Sequence, residues 1–284
     1  MNKIWTHIRI KHWVKNLLIF IPAVFGLTIY EQWLALCIAF SSFSLMASAV
    51  YIFNDIADRQ WDINNPSKED VIDAKHMKPY LLVGSLLALV SLVISFSLLP
   101  TLATITIVVY FLINLVYSLG AKTIPYFEMS FVVFGFLLRI FLGSIVSSTP
   151  ISNWLWIEVA LISGCIIVFK RLKEIRLFQK GMAVRKVVST YQEKHFLILF
   201  TILMIGLLLI YTLYCGFYSI VELPFYLPFI TLIPMLYGAF HLSKYIYRSV
   251  IPDKNPVYLF LSDPVLIGCA LIWIVMWIYL LYAY

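Results

Sequence analysis

The sequence predicts an all-α membrane protein, a bundle of nine transmembrane helices, and three observations support this fold class. Of the 284 residues, 62% are hydrophobic and only 12% are charged, which is about half the charged fraction of an ordinary soluble domain. The apolar residues also fall into segments close to the ~17–25 residues that cross a bilayer as a helix. There are nine such segments, at about 16–31, 34–53, 80–98, 102–119, 128–147, 154–170, 196–218, 224–241 and 264–283.

The third observation is the distribution of positive charge. A chain that crosses nine times places its N-terminus and four loops on one side, near 54–79, 120–127, 171–195 and 242–263. This side, with Lys170 at a helix end, carries 20 of the 21 Lys and Arg residues, and the remaining one, Arg139, lies within a span. The positive-inside rule then predicts an integral protein of the bacterial inner membrane with a cytoplasmic N-terminus and an external C-terminus. The net charge of +7 therefore reflects topology, and we expect no nucleic-acid partner.

No segment is long and polar enough to form a separate soluble domain, so we expect one transmembrane domain over residues 1–284. Residues 1–15 are predicted to lie on the membrane surface as a short interfacial segment. In this segment Trp5 and Trp13 alternate with Arg9, Lys11 and Lys15, a pattern typical of helices on an anionic leaflet.

The acidic motif after the second span is the strongest functional signal. Asp55, Asp58 and Asp62 follow Asn54 at spacings of i, i+3 and i+7, which places three carboxylates on one face of a helix. Carboxylates this close repel one another unless cations lie between them. Mg²⁺ is the usual cation, because it binds one or two carboxylates and completes its shell with substrate phosphates. The alternative is a helix end whose acids merely face water.

A second group follows the fourth span. Lys122 and Glu128 precede Arg139, which lies about three helical turns after Glu128 on the same face of the fifth span. An arginine this deep in a membrane is costly and needs an acidic or phosphate partner. We therefore expect Glu128 to bind metal and Lys122 and Arg139 to bind phosphates. The alternative is that Arg139 pairs with an acid and locks helices together.

Two further basic groups complete the candidate site. Lys68 lies in the loop after the acidic motif, and Lys170, Arg171 and Glu174 lie at the cytoplasmic end of the sixth span. Lysine and arginine in these places suit phosphate groups. They are equally typical of ordinary cytoplasmic loop charge, and Lys170 and Glu174 are spaced to form a simple helical ion pair.

Together these residues resemble the UbiA superfamily of intramembrane prenyltransferases, and within it the decaprenyl-phosphate phosphoribosyltransferase-like members. The resemblance covers nearly the whole chain. The residues that carry it are His12-Trp13-Val14-Lys15-Asn16, Tyr51 through Asp62 followed by Asn65-Pro66-x-Lys68, Tyr117-Ser118 with Lys122, Gly135-Phe136-x-Leu138-Arg139, Lys170-Arg171-x-x-Glu174 and Asp263.

The resemblance implies a helical bundle around a central cavity that faces the cytoplasm. It implies Mg²⁺-dependent transfer of 5-phosphoribosyl from phosphoribosyl pyrophosphate, a soluble diphosphate donor, to a polyprenyl phosphate lipid. The metal ligands would be Asp55, Asp58, Asp62 and Glu128, with the three aspartates as the catalytic residues. The substrate-binding residues would be Lys15, Asn16, Asn54, Lys68, Tyr117, Lys122, Arg139, Lys170, Arg171 and Glu174.

Three positions depart from the family pattern and keep alternatives open. Glu69-Asp70 follow Lys68 where the family usually has Arg-Pro, and Glu128 stands where the family usually has Asp. Pro256-Val257-Tyr258 stand where the family usually has a late Pro-Glu-Asp element. The alternative enzyme is a UbiA-type prenyltransferase or terpene cyclase that uses a prenyl diphosphate. The non-enzymatic alternatives are a degenerate scaffold and a transporter, and a homo-oligomer is compatible with each.

Overall fold

A computed structural model describes residues 4–63, 71–72, 77–182, 184, 186–217, 226–247 and 262–282. Every regular element in these ranges is helical. The chain divides into two compact units. The first contains Met1–Ile151 with Ala183–Val187, and the second contains Ser152–Met182 with Val188–Tyr284. The expectation of one domain over residues 1–284 stays a prediction.

The first unit contains seven α-helices and two 3₁₀ segments within its described residues. They are α1 (Ile4–Ile8), a 3₁₀ segment (Ile10–Phe20), α2 (Ile21–Phe25), α3 (Ile29–Ala57), α4 (Arg59–Asp62), α5 (Met77–Leu98), α6 (Thr101–Leu119), a 3₁₀ turn (Ala121–Thr123) and α7 (Phe127–Ser147).

The second unit is built around a long helix pair. Its elements are α8 (Asn153–Gln179), α9 (Glu193–Phe217), α10 (Leu227–Ile230), α11 (Leu232–Tyr247) and α12 (Pro264–Tyr282), and the 3₁₀ segment Lys186–Thr190 contains the boundary between the units.

Six described helices, α3, α5, α6, α7, α9 and α12, are long and apolar enough to cross a membrane. The other three predicted spans are not among these six helices. The first is the 3₁₀ segment followed by α2, and Pro22 near the start of α2 suits a helix beginning because it lacks an N–H there. The sixth is α8, and the eighth is α10 and α11 together.

Two helices continue beyond the apolar segments that predicted them. Helix α3 begins at Ile29 and continues to Ala57, and α8 continues to Gln179, nine residues past the predicted limit at 170. Hydropathy marks where the chain leaves the apolar part of the bilayer. It does not mark where the helix ends, because lysine, arginine and glutamate are all good helix formers.

Helix α3 is the centre of the first unit. Its buried side chains, among them Leu36, Phe43 and Met46, form a core with residues of α6 and α7. Ser42 and Ser91 join α3 to α5 through reciprocal hydrogen bonds, 2.8 Å from Ser42 Oγ to the Ser91 carbonyl and 2.7 Å in the reverse direction. Small polar residues of this kind allow membrane helices to approach closely.

Gly143 fixes the 3₁₀ segment against α7. A Cβ atom at Gly143 would lie only 2.0 Å from the carbonyl oxygen of Ile19, so no larger residue fits without moving one backbone away from the other. This close approach determines where Lys15 and Asn16, on the same segment, stand relative to α7.

Candidate functional site

The acidic motif lies at the junction between α3 and α4. Helix α3 ends at Ala57, but the backbone stays close to helical, because Asp58 N–H bonds the Asn54 carbonyl at 2.8 Å and Asp62 N–H bonds the Asp58 carbonyl at 3.0 Å. The predicted spacing of the three aspartates is therefore retained across the junction. Their side chains nevertheless have different partners.

Asp58 joins the end of α3 to the end of α6. Its carboxylate accepts a hydrogen bond from Asn54 Nδ2 at 3.0 Å and forms an ion pair with Lys122. Asn54 in turn accepts a hydrogen bond from Ser118 Oγ at 3.0 Å. Three predicted site residues thus form one network with Ser118, a residue that was not predicted as part of the site. In the sequence, Ser118 was marked only as part of the Tyr117-Ser118 pair that carries the family resemblance.

Glu128 links the start of α7 to the end of α6. It lies in the first turn of α7, is fully buried, and accepts a hydrogen bond from the Tyr117 hydroxyl at 3.5 Å. Because Tyr117 and Ser118 are neighbours on α6, the two acidic regions flank the same helix end. The structure therefore brings together Asn54, Asp58, Tyr117, Lys122 and Glu128.

Asp55 has a different role, as an anchor for the N-terminal segment. Its carboxylate is almost fully buried and bonds His7 Nδ1 at 2.8 Å and the Arg9 guanidinium at 2.6 Å. Arg9 also lies over the ring of Tyr51, 5.0 Å from its centroid. Sequence reasoning missed His7 and Arg9 as site residues, because they lie 46 to 48 residues from Asp55 and no periodicity links them.

Arg139 lies in a buried, largely neutral environment. Its Nε donates to Asn16 Oδ1 at 2.8 Å and its Nη1 donates to the Gly135 carbonyl. The guanidinium carbon lies 4.8 Å from the centroid of Phe43 and 5.2 Å from that of Tyr110. Among the described residues no acid pairs with Arg139, so the alternative of an acid that locks it to another helix finds no support there.

Four further predicted site residues lie outside the described part of the first unit. Lys170, Arg171 and Glu174 are on α8 in the second unit, where the fully buried Arg171 forms an ion pair with Glu174. Arg176 continues this charged region by bonding Glu193 at 2.6 Å. Lys68 lies outside the described residues.

Asp263 caps the start of α12, as its position before Pro264 indicates. Its carboxylate accepts hydrogen bonds from the Val265 and Leu266 N–H groups at 2.9 and 3.0 Å, and it also bonds Tyr245 and His241. Burial raises the pKa of Asp263, but the hydrogen bonds from Tyr245, Leu266 and His241 outweigh it and lower the pKa to about 2. Asp263 is therefore a structural anion at neutral pH.

The chemistry of the donors at the α3–α6–α7 end fits Mg²⁺. Within the described ranges, no three His, Cys, Asp or Glu side chains already lie close enough together to hold a metal ion. Carboxylates and amide oxygens are nevertheless the ligands that Mg²⁺ prefers, with phosphate oxygens and water filling the rest of its shell. The Lys122 ammonium on Asp58 is a stand-in for such a cation.

A model of the UbiA prenyltransferase family matches residues 17–263. The chain belongs to the UbiA prenyltransferase family. It is therefore a transferase, and the predicted resemblance is confirmed. A decaprenyl-phosphate phosphoribosyltransferase of Mycobacterium tuberculosis is 31% identical over 217 residues, which cover 73% of this chain and 72% of that protein.

Two solved UbiA structures support the fold. A UbiA homologue from Aeropyrum pernix superposes with a TM-score of 0.65 at 15% identity, covering 93% of this chain and 98% of that one. A homologue from Archaeoglobus fulgidus, solved with DMAPP and Mg²⁺, has a TM-score of 0.64 at 14% identity and covers 99% and 98%. The predicted fold class, an all-α UbiA-type membrane bundle, is confirmed.

Proposed function

We propose that this UbiA-family transferase moves 5-phosphoribosyl from phosphoribosyl pyrophosphate to the phosphate of a polyprenyl phosphate and releases pyrophosphate. The observation that carries the proposal is the joint network of Asn54, Asp58 and Lys122 beside Tyr117 and Glu128. The carboxylate and amide oxygens of this network are suited to bind a cation. The Lys122 ammonium is suited to bind a phosphate. The M. tuberculosis relative named above, at 31% identity, supports this choice of donor and acceptor.

The proposed division of labour follows from the contacts. Asp58, Asp62 and Glu128 would hold Mg²⁺, and the bound cation would supply positive charge for the departing diphosphate. Lys122 would exchange Asp58 for a phosphate oxygen, and Asn54 keeps Asp58 oriented. Asp55, the fourth predicted ligand, already bonds His7 and Arg9. It would reach a metal only if one of these two residues moved.

The acceptor needs little activation. A polyprenyl phosphate is already an anion, so its oxygen attacks C1 without a general base, and no residue is assigned that role. The reaction instead needs positioned charge and exclusion of water while positive charge develops on the ribosyl ring. Lys68, Lys170, Arg171 and Glu174 remain proposed substrate contacts, as do the cytoplasmic N-terminus, the external C-terminus and any homo-oligomer.

The deciding experiment is radiolabel transfer from phosphoribosyl pyrophosphate to short polyprenyl phosphates by purified protein, with Mg²⁺ and with EDTA. We expect labelled lipid only with Mg²⁺, and a loss of about two orders of magnitude or more in Asp58→Asn. Glu31→Gln is the matched control, because Glu31 is exposed in the first turn of α3, at the opposite end from the motif. This variant should transfer label as the wild type does.

A second arm of the same assay offers a labelled prenyl diphosphate as donor. This arm tests the alternative that the enzyme is a UbiA-type prenyltransferase or terpene cyclase. Label from the prenyl diphosphate, with none from phosphoribosyl pyrophosphate across several lipid lengths, would overturn the proposed donor while leaving the transferase class intact.

A further inference from the structure

At the acidic end of the site, formed by Asn54, Asp58, Tyr117, Lys122 and Glu128, the carboxylate of Asp58 has a different kind of partner on each oxygen. Asn54 Nδ2 donates to Oδ2 at 3.0 Å, and the Lys122 ammonium pairs with Oδ1. Asn54 precedes Asp58 by one helical turn, so the same stretch of backbone carries the amide and the carboxylate. Lys122 reaches Oδ1 at the end of a flexible side chain. A cation that approaches Asp58 therefore meets a replaceable partner on Oδ1 and a fixed partner on Oδ2.

Ser118 fixes the direction of the Asn54 amide. The oxygen and nitrogen of a side-chain amide exchange places when the group turns over, so the neighbouring groups decide which of them faces Asp58. The Ser118 hydroxyl donates to Asn54 Oδ1 at 3.0 Å, and Nδ2 consequently points to the carboxylate. The reversed amide would place its oxygen against Asp58 Oδ2, and two acceptors would face each other.

The end of α6 supplies both partners that hold this arrangement from outside α3. Ser118 lies in the last turn of α6, and Lys122 lies in the 3₁₀ turn that follows it. With Asn54 and Asp58 they close a ring of two hydrogen bonds and one ion pair between the two helices. The side chains of Asp58 and Lys122 are each only 15% exposed, so water competes little for these bonds.

The number of oxygens that Asp58 offers decides which divalent cation it suits. Mg²⁺ demands a near-ideal octahedron, and a single carboxylate oxygen fills one of its positions. Ca²⁺ takes about six to eight oxygens in a looser geometry and accepts both oxygens of one carboxylate. With Oδ2 held by Asn54, only Oδ1 is open to a metal once Lys122 leaves it.

We propose that Ser118 and Asn54 make Asp58 a one-oxygen metal ligand and thereby set a preference for Mg²⁺ over Ca²⁺ at the acidic end. Both are positioning residues. Asn54 occupies Asp58 Oδ2, and Ser118 keeps the Asn54 amide turned toward it. The inference rests on the proposed function for the role of Asp58 as a metal ligand, and it does not depend on the identity of the donor.

Thermal unfolding of the purified full chain in detergent tests this preference without donor or lipid. MgCl₂ and CaCl₂ are titrated separately at constant ionic strength, and the reading is the metal concentration that gives half of the maximal rise in melting temperature. In the wild type, Mg²⁺ should act at a concentration about tenfold lower than Ca²⁺. Asp58→Asn should remove most of the rise with either metal, which assigns the rise to this site.

Ser118→Ala is the decisive variant. It should weaken Mg²⁺ binding by about fivefold, the effect of one hydrogen bond. Ca²⁺ binding should stay the same or tighten, because the released Oδ2 can join Oδ1 on the larger ion. Ser118→Thr keeps the hydroxyl and should restore the wild-type preference. Asn54→Leu should lower the preference at least as far as Ser118→Ala, and the double variant should add little, because Ser118 acts through Asn54.

Lys122→Met is the matched control. Lys122 competes with the metal for Asp58 Oδ1, so its replacement should tighten both metals by a similar factor and leave the preference unchanged. Ser118 is only partly buried, so Ser118→Ala carries the test even if Asn54→Leu fails to fold. The inference is overturned if neither metal raises the wild-type melting temperature, if Ca²⁺ acts at the same or a lower concentration, or if Ser118→Ala keeps the wild-type preference.

The same titration separates the inference from the proposed function. A Mg²⁺ preference that depends on Ser118, in a protein that transfers no label from phosphoribosyl pyrophosphate, would support the positioning of Asp58 and refute the donor. Label transfer with Mg²⁺, in a protein whose metal preference survives Ser118→Ala, would support the donor and refute the positioning.

Discussion

Replacement of Asp55 by Asn is expected to release the N-terminal segment from α3. The two oxygens of Asp55 bond His7 and Arg9. The asparagine is neutral, and its amide nitrogen would face one of the two donors. The substitution therefore removes a charge and leaves a buried donor without an acceptor.

The expected loss of stability follows from the burial of the partners. Breaking a buried ion pair from one side costs about 3–5 kcal/mol. Arg9 is 29% exposed, so water partly compensates its charge, and we expect about 2–3 kcal/mol. For a chain of this size that corresponds to a fall of roughly 5–10 °C in the melting temperature.

Two measurements check this expectation. The first is thermal unfolding in detergent, and the second is the rate of trypsin cleavage after Lys11, an exposed residue of the 3₁₀ segment. Asp55→Asn should accelerate cleavage there, and Asp58→Asn, the control, should not. Arg9→Met should add little to Asp55→Asn, because both break the same contact.

The reasoning would be refuted by the opposite pattern. If Asp55→Asn leaves the melting temperature and the cleavage rate unchanged but weakens Mg²⁺ activation as strongly as Asp58→Asn does, Asp55 is a metal ligand. The contacts of Asp55 with His7 and Arg9 would then contribute no measurable stability.

Two further predictions concern packing and pH. Gly143→Ala should destabilise the protein by about 1–3 kcal/mol, because the new methyl group meets the Ile19 backbone. Its control, Gly268→Ala on α12, meets no atom within 4 Å and should be neutral or slightly stabilising. Asp263→Asn should lower the melting temperature at pH 7. Because folding lowers the pKa of Asp263 from 3.8 to about 2, the difference from the wild type should shrink as pH falls through this window. A constant difference would contradict that assignment.

The helices and the acidic end of the site could be predicted because their causes are local and periodic. Apolar runs of sufficient length form spans, and alternation of sides brings the ends of α3 and α6 and the start of α7 to one face. This is why Asp58 and Lys122, 64 residues apart, could both be assigned to the same site. The helical bounds of α3 and α8 could not be read from the apolar segments, because hydropathy does not report hydrogen bonding of the backbone.

The anchor of Asp55 and the neutral surroundings of Arg139 could not be predicted. Arg9 was predicted as a charge of the interfacial segment, and its left-handed backbone, with φ of 53°, gives no composition signal. Arg139 was expected to need an acidic or phosphate partner, but its described partners are an asparagine and a carbonyl. Pairings between distant segments depend on how the helices pack. No periodic pattern in a single sequence reveals that packing.

The 3₁₀ winding of residues 10–20 has a geometric reason that links the packing on α3 to the position of Asn16 beside Arg139. Trp13 Nε1 bonds Ser48 Oγ at 3.0 Å, and Asn16 bonds Ser44, so two residues three apart meet two residues four apart on α3. Three residues of a 3₁₀ helix rise about 6 Å, as do four residues of an α-helix. Three residues of an α-helix rise only about 4.5 Å, so the two bonds would fall out of register. Ile19, whose carbonyl packs against Gly143, lies one 3₁₀ turn after Asn16. One continuous 3₁₀ segment thus carries the two bonds to α3, the close contact with α7 and the Asn16 bond to Arg139.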